Sequence, residues 1–193
     1  MNPKRAIQLD NWFPQAEWVE LRRCHIPWTD TAAEQPVESL LPYHGASSSA
    51  LFAAVGGAMY DVTDGVTPDE PSLTGLNSAR WQSFNIANAG GSYLWICNGV
   101  DTPRYFNGTT WAEADIDGID ADEIVQGDLH KGRIWAVYNN STKVAYADVI
   151  DAIQGNFSEY ELGSLMDLGG YVVAVASWSR DGGSGPDDFL VFI

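Results

Sequence analysis

Cysteine is scarce, basic residues are few, and no long apolar run occurs in this chain of 193 residues. Two cysteines, Cys24 and Cys97, cannot build a disulfide framework, and neither lies in a Cys-x-x-Cys or other metal-binding spacing. Cys97, inside "LWICNG", reads as a small apolar residue of a buried strand. Cys24 follows Arg22-Arg23, a more activating neighbourhood, and is also read as structural. Ten bases against 26 acids leave a formal charge of −16, a field that repels phosphate. Sequence-specific nucleic-acid binding is therefore excluded as a working hypothesis. No run approaches the ~20 apolar residues that a membrane helix needs. The start, "MNPKRAIQLDNWF", has two cations but no apolar core of a secretory signal, so synthesis and folding in a cytoplasm are expected. Helical periodicity is scarce too. "DVIDAIQG" (148–155) suits one or two helical turns stopped by Gly155, and "TDTAAEQPVESLL" has Thr29 or Asp30 as a cap but is broken by Pro36.

Aromatic residues and glycine are abundant: 8 Trp, 8 Tyr, 7 Phe and 19 Gly. That balance favours strands and turns, and the 45% apolar content is enough for one globular core. The stretch "YLWICNGVDTPRYFNGTTW" (93–111) alternates apolar and polar residues and breaks at two Asn-Gly pairs. Related apolar strands recur as "ALFAAVGG" from Ala50, "RIWAVYNN" from Arg133 and "YVVAVASW" from Tyr171. With Leu51, Leu94, Ile134 and Val172 taken as equivalent, the steps are 43, 40 and 38 residues. A second short strand follows each of the first three: "AMYDVT", "PRYFNG" and "KVAYADV". The fourth is followed by an acidic glycine-rich loop and "FLVFI". A further candidate strand precedes each: "VESLLPYHG", "RWQSFNIANAG", "EIVQGDLHKG", and "FSEYELGSL" or "LMDLGG". The Asn-Gly, Gly-Gly and Asn-Asn pairs are expected to supply the positive φ angles of two-residue hairpin turns.

Units of about 40 residues with three or four short antiparallel strands are the sequence sign of propeller blades, each needing a neighbour to hide its faces. The expected fold is all-β, built of antiparallel hairpin repeats in a β-propeller-like arrangement that is partial or open. A β-sandwich is the alternative. Residues 1–36 lack the pattern and form an aromatic arm; residues 37–193 form the repeat-built β domain of about four units.

Catalytic signals are weak. "SRDGGSG" matches a sialidase Asp-box at Ser179, Asp181 and Gly183, but Gly185-Pro186 replaces its closing Thr-Trp, and such boxes are structural turns. No arginine cluster accompanies the carboxylates that a glycosidase needs, so no enzyme is expected. The acidic turns "DIDGIDADE" and "GGSGPDD" do not match an EF-hand spacing. No cofactor is expected, Ca²⁺ at these turns being the only candidate. His25, His44 and His130 are scattered, and no glycine pair opens a helix as a phosphate loop does. The candidate interface is instead the arm: Trp12, Phe13, Trp18, Arg22, Arg23 and Trp28, residue types that dominate binding hot spots. Packing of the same residues under the blades of their own chain is the competing reading.

The segments "IQLDNWFPQAEWVELRR", "LFAAVGGAMYDVT", "NGVDTPRYFNGTTW", "HKGRIWAV" and "DGGSGPDDFLVFI" resemble a family of tailed-phage and prophage virion proteins. These are similar in kind to the β-propeller subunits of tail nozzles and hubs and to packaged-DNA stabilisation proteins of short-tailed phages. The likeness runs from about Ala6 to Ile193. It implies a structural role in the virion neck or tail, homo-oligomerisation, portal, adaptor or tail subunits as partners, and no membrane. It offers no catalytic residue. Proteins of this kind continue for several more strands, a pattern from which this sequence departs. The alternatives are an adhesin that binds surface glycans and, behind it, a polysaccharide hydrolase.

Overall fold

The computed structural model describes residues 12–14, 17–21, 26–181 and 186–193. They form strands joined by turns, with two single 3-10 turns at Ala121–Glu123 and Gly163–Leu165. A short hairpin, β1 (Trp12–Pro14) and β2 (Val19–Leu21), comes first. A four-stranded antiparallel meander follows: β3 (Val37–His44), β4 (Ser49–Val55), β5 (Ala58–Asp61) and β6 (Leu73–Thr74). A second contains β7 (Gln82–Asn88), β8 (Gly91–Cys97), β9 (Arg104–Phe106) and β10 (Trp111–Glu113). After β11 (Ile116–Asp117) come β12 (Ile124–His130), β13 (Arg133–Tyr138), β14 (Lys143–Ala147) and β15 (Gly155–Glu161), a third meander onto whose outer edge β11 pairs in parallel. A hairpin of β16 (Val175–Asp181) and β17 (Pro186–Phe192) completes the described chain.

Period-two alternation explains the packing, because successive side chains of a strand point to opposite faces. In β8, Leu94 and Ile96 join Leu41, Phe52, Met59 and Phe106 in the layer between the first and second meanders. Trp95 and Cys97 point the other way, into a layer with Ile124, Ile134, Ala136 and Phe157 of the third. In β13, Ile134 and Ala136 serve that second layer, whereas Val137 joins Val144, Val172 and Val175 in a third layer beneath the last hairpin. Both faces of the two central sheets are thus apolar and buried.

The first strands lie next to one another: β3 packs on β7 and β8, β12 on β7 and β8, and β16 on β12 and β13. Side-chain amides tie two of these seams. Asn85 on β7 donates Nδ2–H to the Pro42 carbonyl and accepts the His44 N–H on Oδ1, both at 2.9 Å. Gln126 on β12 does the same to β16, accepting the Val175 N–H at 2.9 Å and donating to the Val175 carbonyl at 3.0 Å. Each amide stands in for one rung of a β-ladder, satisfying backbone groups that would otherwise be left unpaired. At the middle seam Gly127 leaves room for Phe84, whose ring lies 3.1 Å from where a Cβ would stand.

Several expectations about the connections need correction. Lys131–Gly132, with φ of 49° and 75°, is a two-residue turn of the expected kind, and Gly56–Gly57 also joins its strands in two residues. The Asn-Gly pairs are not two-residue turns. After β8 the chain takes a longer loop, Asn98–Pro103, because Asn98 Oδ1 accepts the N–H groups of Val100 and Asp101 and folds the backbone locally. Asn107–Thr110 is a four-residue loop in which Asn107 Oδ1 accepts the N–H of Thr109 and of Thr110. Gly108 there has φ 93°, and a Cβ would sit 2.7 Å from the Tyr43 hydroxyl of the first meander. The proposed helical segment at 148–155 is a turn that enters β15, and the segment from 29 to 41 forms no helix but bends at Glu34 and Gln35 before β3.

The fourth unit is out of register with the others. "FSEYE" belongs to β15, the last strand of the third meander, and Val172 lies before a strand rather than in one. Gly169 and Gly170, both at positive φ, turn the chain, and Val172 donates its N–H to the Ser141 carbonyl. The strand begins three residues later, and β16 occupies the place of a first strand beside β12.

Cys97 is fully buried in the second apolar layer, and burial pushes its thiol well above the ordinary range. In a Cys24→Ser variant, a thiol reagent is expected to leave the native protein unlabelled and to react stoichiometrically once denaturant is added. Rapid native labelling would place Cys97 outside the core.

Candidate functional site

Two apolar faces lie at opposite ends of the stack. On the first meander, Leu40, Pro42, Leu51 and Ala53 point away from the first apolar layer. The segment that enters β3 crosses this face. Trp28 donates its indole N–H to the Val62 carbonyl at 2.7 Å, and its ring edge passes Gly65, where a Cβ would come within 3.3 Å. A cleft of about 380 Å³ remains between this segment and the sheet, lined by Trp28, Val37, Leu40, Leu51, Ala53 and Val62 among others. Trp28 is still 63% exposed and Leu40 59%.

At the other end, the register of the last hairpin puts Val175 and Phe192 on the covered side and pairs Trp178 with Phe189 on the opposite one. Trp178 is 64% exposed and Phe189 50%, so a large apolar cross-strand pair faces outward. Asp187 and Asp188 are exposed beside it, and Ser179 donates its hydroxyl to Asp188 at 2.6 Å. The inner side is held by polar ties: the Ser177 N–H donates to Asp128 Oδ2 at 2.8 Å, and Ser177 Oγ lies 3.0 Å from His130 Nδ1. The Ser177–His130 pair has the residue types of a nucleophile and base. The oxygens of the neighbouring Asp128, however, accept the backbone N–H groups of Leu129 and Ser177, so the trio works as a seam between β12 and β16.

The predicted interface residues are only partly gathered. Trp12 and Phe13 stand in β1, opposite Leu21 and Glu20. Trp18, in the connection of that hairpin, is 61% exposed. Trp28 lies apart from them in sequence, on the first meander. Arg22, Arg23 and Cys24 lie outside the described residues, as do His25 and the Gly182–Gly185 part of the Asp-box match. Sequence reading missed the Trp178–Phe189 face and the ties made by Asn85 and Gln126. The amides were visible in the sequence, but among the other polar residues of β7 and β12 nothing singled them out, and their partners are set by tertiary contacts.

The acidic turn 115–123 borders a second cleft of about 360 Å³, and across it Thr102 donates its hydroxyl to Asp122 at 2.7 Å. Among the described residues no group of three or more His, Cys, Asp or Glu side chains could hold a metal ion. Apart from Cys97, perturbed titration falls in the third meander. Burial, and after it the charge of Glu159, pushes the Tyr138 phenol up. Lys143 is raised by its 2.6 Å bond to Glu159, and Glu161 is lowered by the Thr142 hydroxyl and then by the Gly163 N–H. These are structural contacts within the third meander, Tyr138 standing on its inner strand β13. Among the described residues no helix is long and apolar enough to cross a membrane. No protein-family model matches the chain, and no curated protein or solved structure matches it either.

Proposed function

We propose that this chain is a structural subunit of a phage or prophage virion, of the neck or tail-nozzle kind, which acts through protein–protein assembly around the genome channel. In this reading the meanders are successive blades of an open β-propeller. The observation that carries it is the row itself: antiparallel meanders in chain order, first strand beside first strand, sealed by three apolar layers. Apolar faces stay open at both ends, as suits a subunit that finishes its packing against neighbours. The excess of acids supports the same reading, since a strongly negative wall lets packaged nucleic acid pass without sticking.

Mass by light scattering tests the assembly role: a defined oligomer is expected, and a strict monomer at high concentration counts against it. Peptide mass spectrometry of particles from a producing host, with the genes flanking this one, tests the virion assignment. Portal and terminase genes nearby are the expected neighbours. The exposed Trp178–Phe189 pair favours one further reading, an adhesin that stacks sugar rings on aromatic faces. Binding on a glycan array, lost in Trp178→Ala, would support it over the structural role.

A further inference from the structure

The segment 28–35 crosses the outer face of the first meander as a strap with an anchor at each end. At one end Trp28 is bonded to the Val62 carbonyl, and its ring lies against Gly65, which has φ 69°. At the other, the Gln35 carboxamide fills the place where a Cβ on Gly56, at φ 56°, would stand. Between the anchors Asp30 Oδ1 accepts the Ala32 N–H at 2.9 Å and turns the strap, with Ala32 at φ 55°. The cleft of about 380 Å³ lies between this strap and the sheet. We propose that it is a docking site for a segment of a partner protein in which a Trp or Tyr side chain is flanked by Lys or Arg. The inference stands on this cleft and does not depend on the virion assignment.

Three features select that occupant. The lining asks for a large apolar group, since Val37, Leu40, Leu51, Ala53 and Val62 all border the cleft. It also asks for a polar handle. Thr29 Oγ1 borders the same cleft shielded from solvent, and among the described residues nothing bonds to it. An indole N–H or a phenol O–H meets both demands, an apolar body carrying one group that pairs with a hydroxyl. Charge then chooses the flanks. Residues 26–79 hold seven acids and no Lys or Arg. Asp30 stands at the cleft, and among the described residues no cation pairs with it. Glu38, in an exposed ion pair with Arg80 at 3.2 Å, borders a second recess that shares Val37 and Leu40 with the first. Anionic ligands are repelled from such a surface, whereas flanking cations are drawn to it. The two adjoining recesses give the site length, which suits a chain segment better than a compact molecule.

NMR titration of the isotope-labelled full chain with the end-capped tripeptide Lys-Trp-Lys tests the proposal. The peptide carries no label, so only the protein's signals appear, and Trp28→Phe assigns the Trp28 indole. Saturable shifts are expected at that indole and at the amides of Leu40, Leu51 and Val62. Glu-Trp-Glu and Lys-Ala-Lys should each bind about tenfold more weakly or worse, the first for its charge and the second for its missing ring. Thr29→Val keeps the side chain's shape and is expected to weaken Lys-Trp-Lys about two- to tenfold, the scale of one hydrogen bond. Asp30→Asn keeps the acceptor for Ala32 and should narrow the gap between the Lys-flanked and Glu-flanked peptides, as should added salt. Absence of saturable shifts at millimolar peptide overturns the proposal, as do shifts centred on Trp178 and Phe189 or equal affinity for the Glu-flanked peptide. Free indole binding as tightly as Lys-Trp-Lys would make the cleft a small-molecule pocket and overturn it too. If either variant fails to fold, the peptide series on the unaltered chain decides alone.

Discussion

Trp95→Ala is expected to cost about 3–5 kcal/mol of folding stability and to lower the melting temperature by roughly 6–20 °C. The residue has no exposed surface and stands in the middle of the second apolar layer, its ring 5.2 Å from that of Phe84. Its indole N–H donates to the Ile153 carbonyl at 3.1 Å, so truncation removes both a large apolar body and a bond that reaches the turn before β15. Because β8 is buried on both faces, Leu94 and Ile96 cannot shift inward to fill the hole without leaving the first layer. A domain of this kind has about 5–15 kcal/mol in all. Urea titration at fixed pH measures the loss, and a change below about 1 kcal/mol would show that the second layer does not hold the meanders together. Trp95→Phe keeps most of the apolar area and is expected to lie between, still forfeiting the bond to Ile153.

Asp101→Ala should be nearly as severe, at about 3–4 kcal/mol, although it deletes no apolar surface. Asp101 is the one charged residue buried among the described residues. Its carboxylate accepts the Asn77 N–H at 3.0 and 3.1 Å, the Asn77 side-chain amide at 2.8 Å and the Asn98 amide at 2.7 Å. It therefore fastens the loop after β8 to the connection between the first and second meanders. Alanine leaves several part-buried donors without an acceptor, while Asp101→Asn places an amide where only acceptors fit, for about 2 kcal/mol. Limited proteolysis is the sharper readout. Cleavage should appear between Gly75 and Arg80 in the alanine variant before global unfolding, and equal resistance in both proteins would refute this role.

Much of the fold was legible because strands buried on both faces still alternate. "YLWICNG" and "RIWAVY" announce two layers at once, and the strands after them were found where expected. The fourth unit was misread for a physical reason. "YVVAVASW" is apolar enough to pass for a central strand, but the glycines before it and the backbone bond of Val172 hold its first residues outside the sheet. The Asn-Gly pairs misled in the opposite direction. Their positive φ is present at Gly99 and Gly108, yet the asparagine side chains bind their own backbone and open longer loops. Asp101 looked like any loop acid, since its partners lie 24 residues upstream as well as next door. The aromatic arm was visible by composition, but composition names no surface for it to meet.

Joining the sheets by amide rungs along one margin has a mechanical corollary. Asn85 and Gln126 act like stitches in a book's binding, directional and short-ranged, whereas the pages beyond them touch mainly through oily contacts that slide before they part. Pressure from within would therefore splay the leaves while the binding holds.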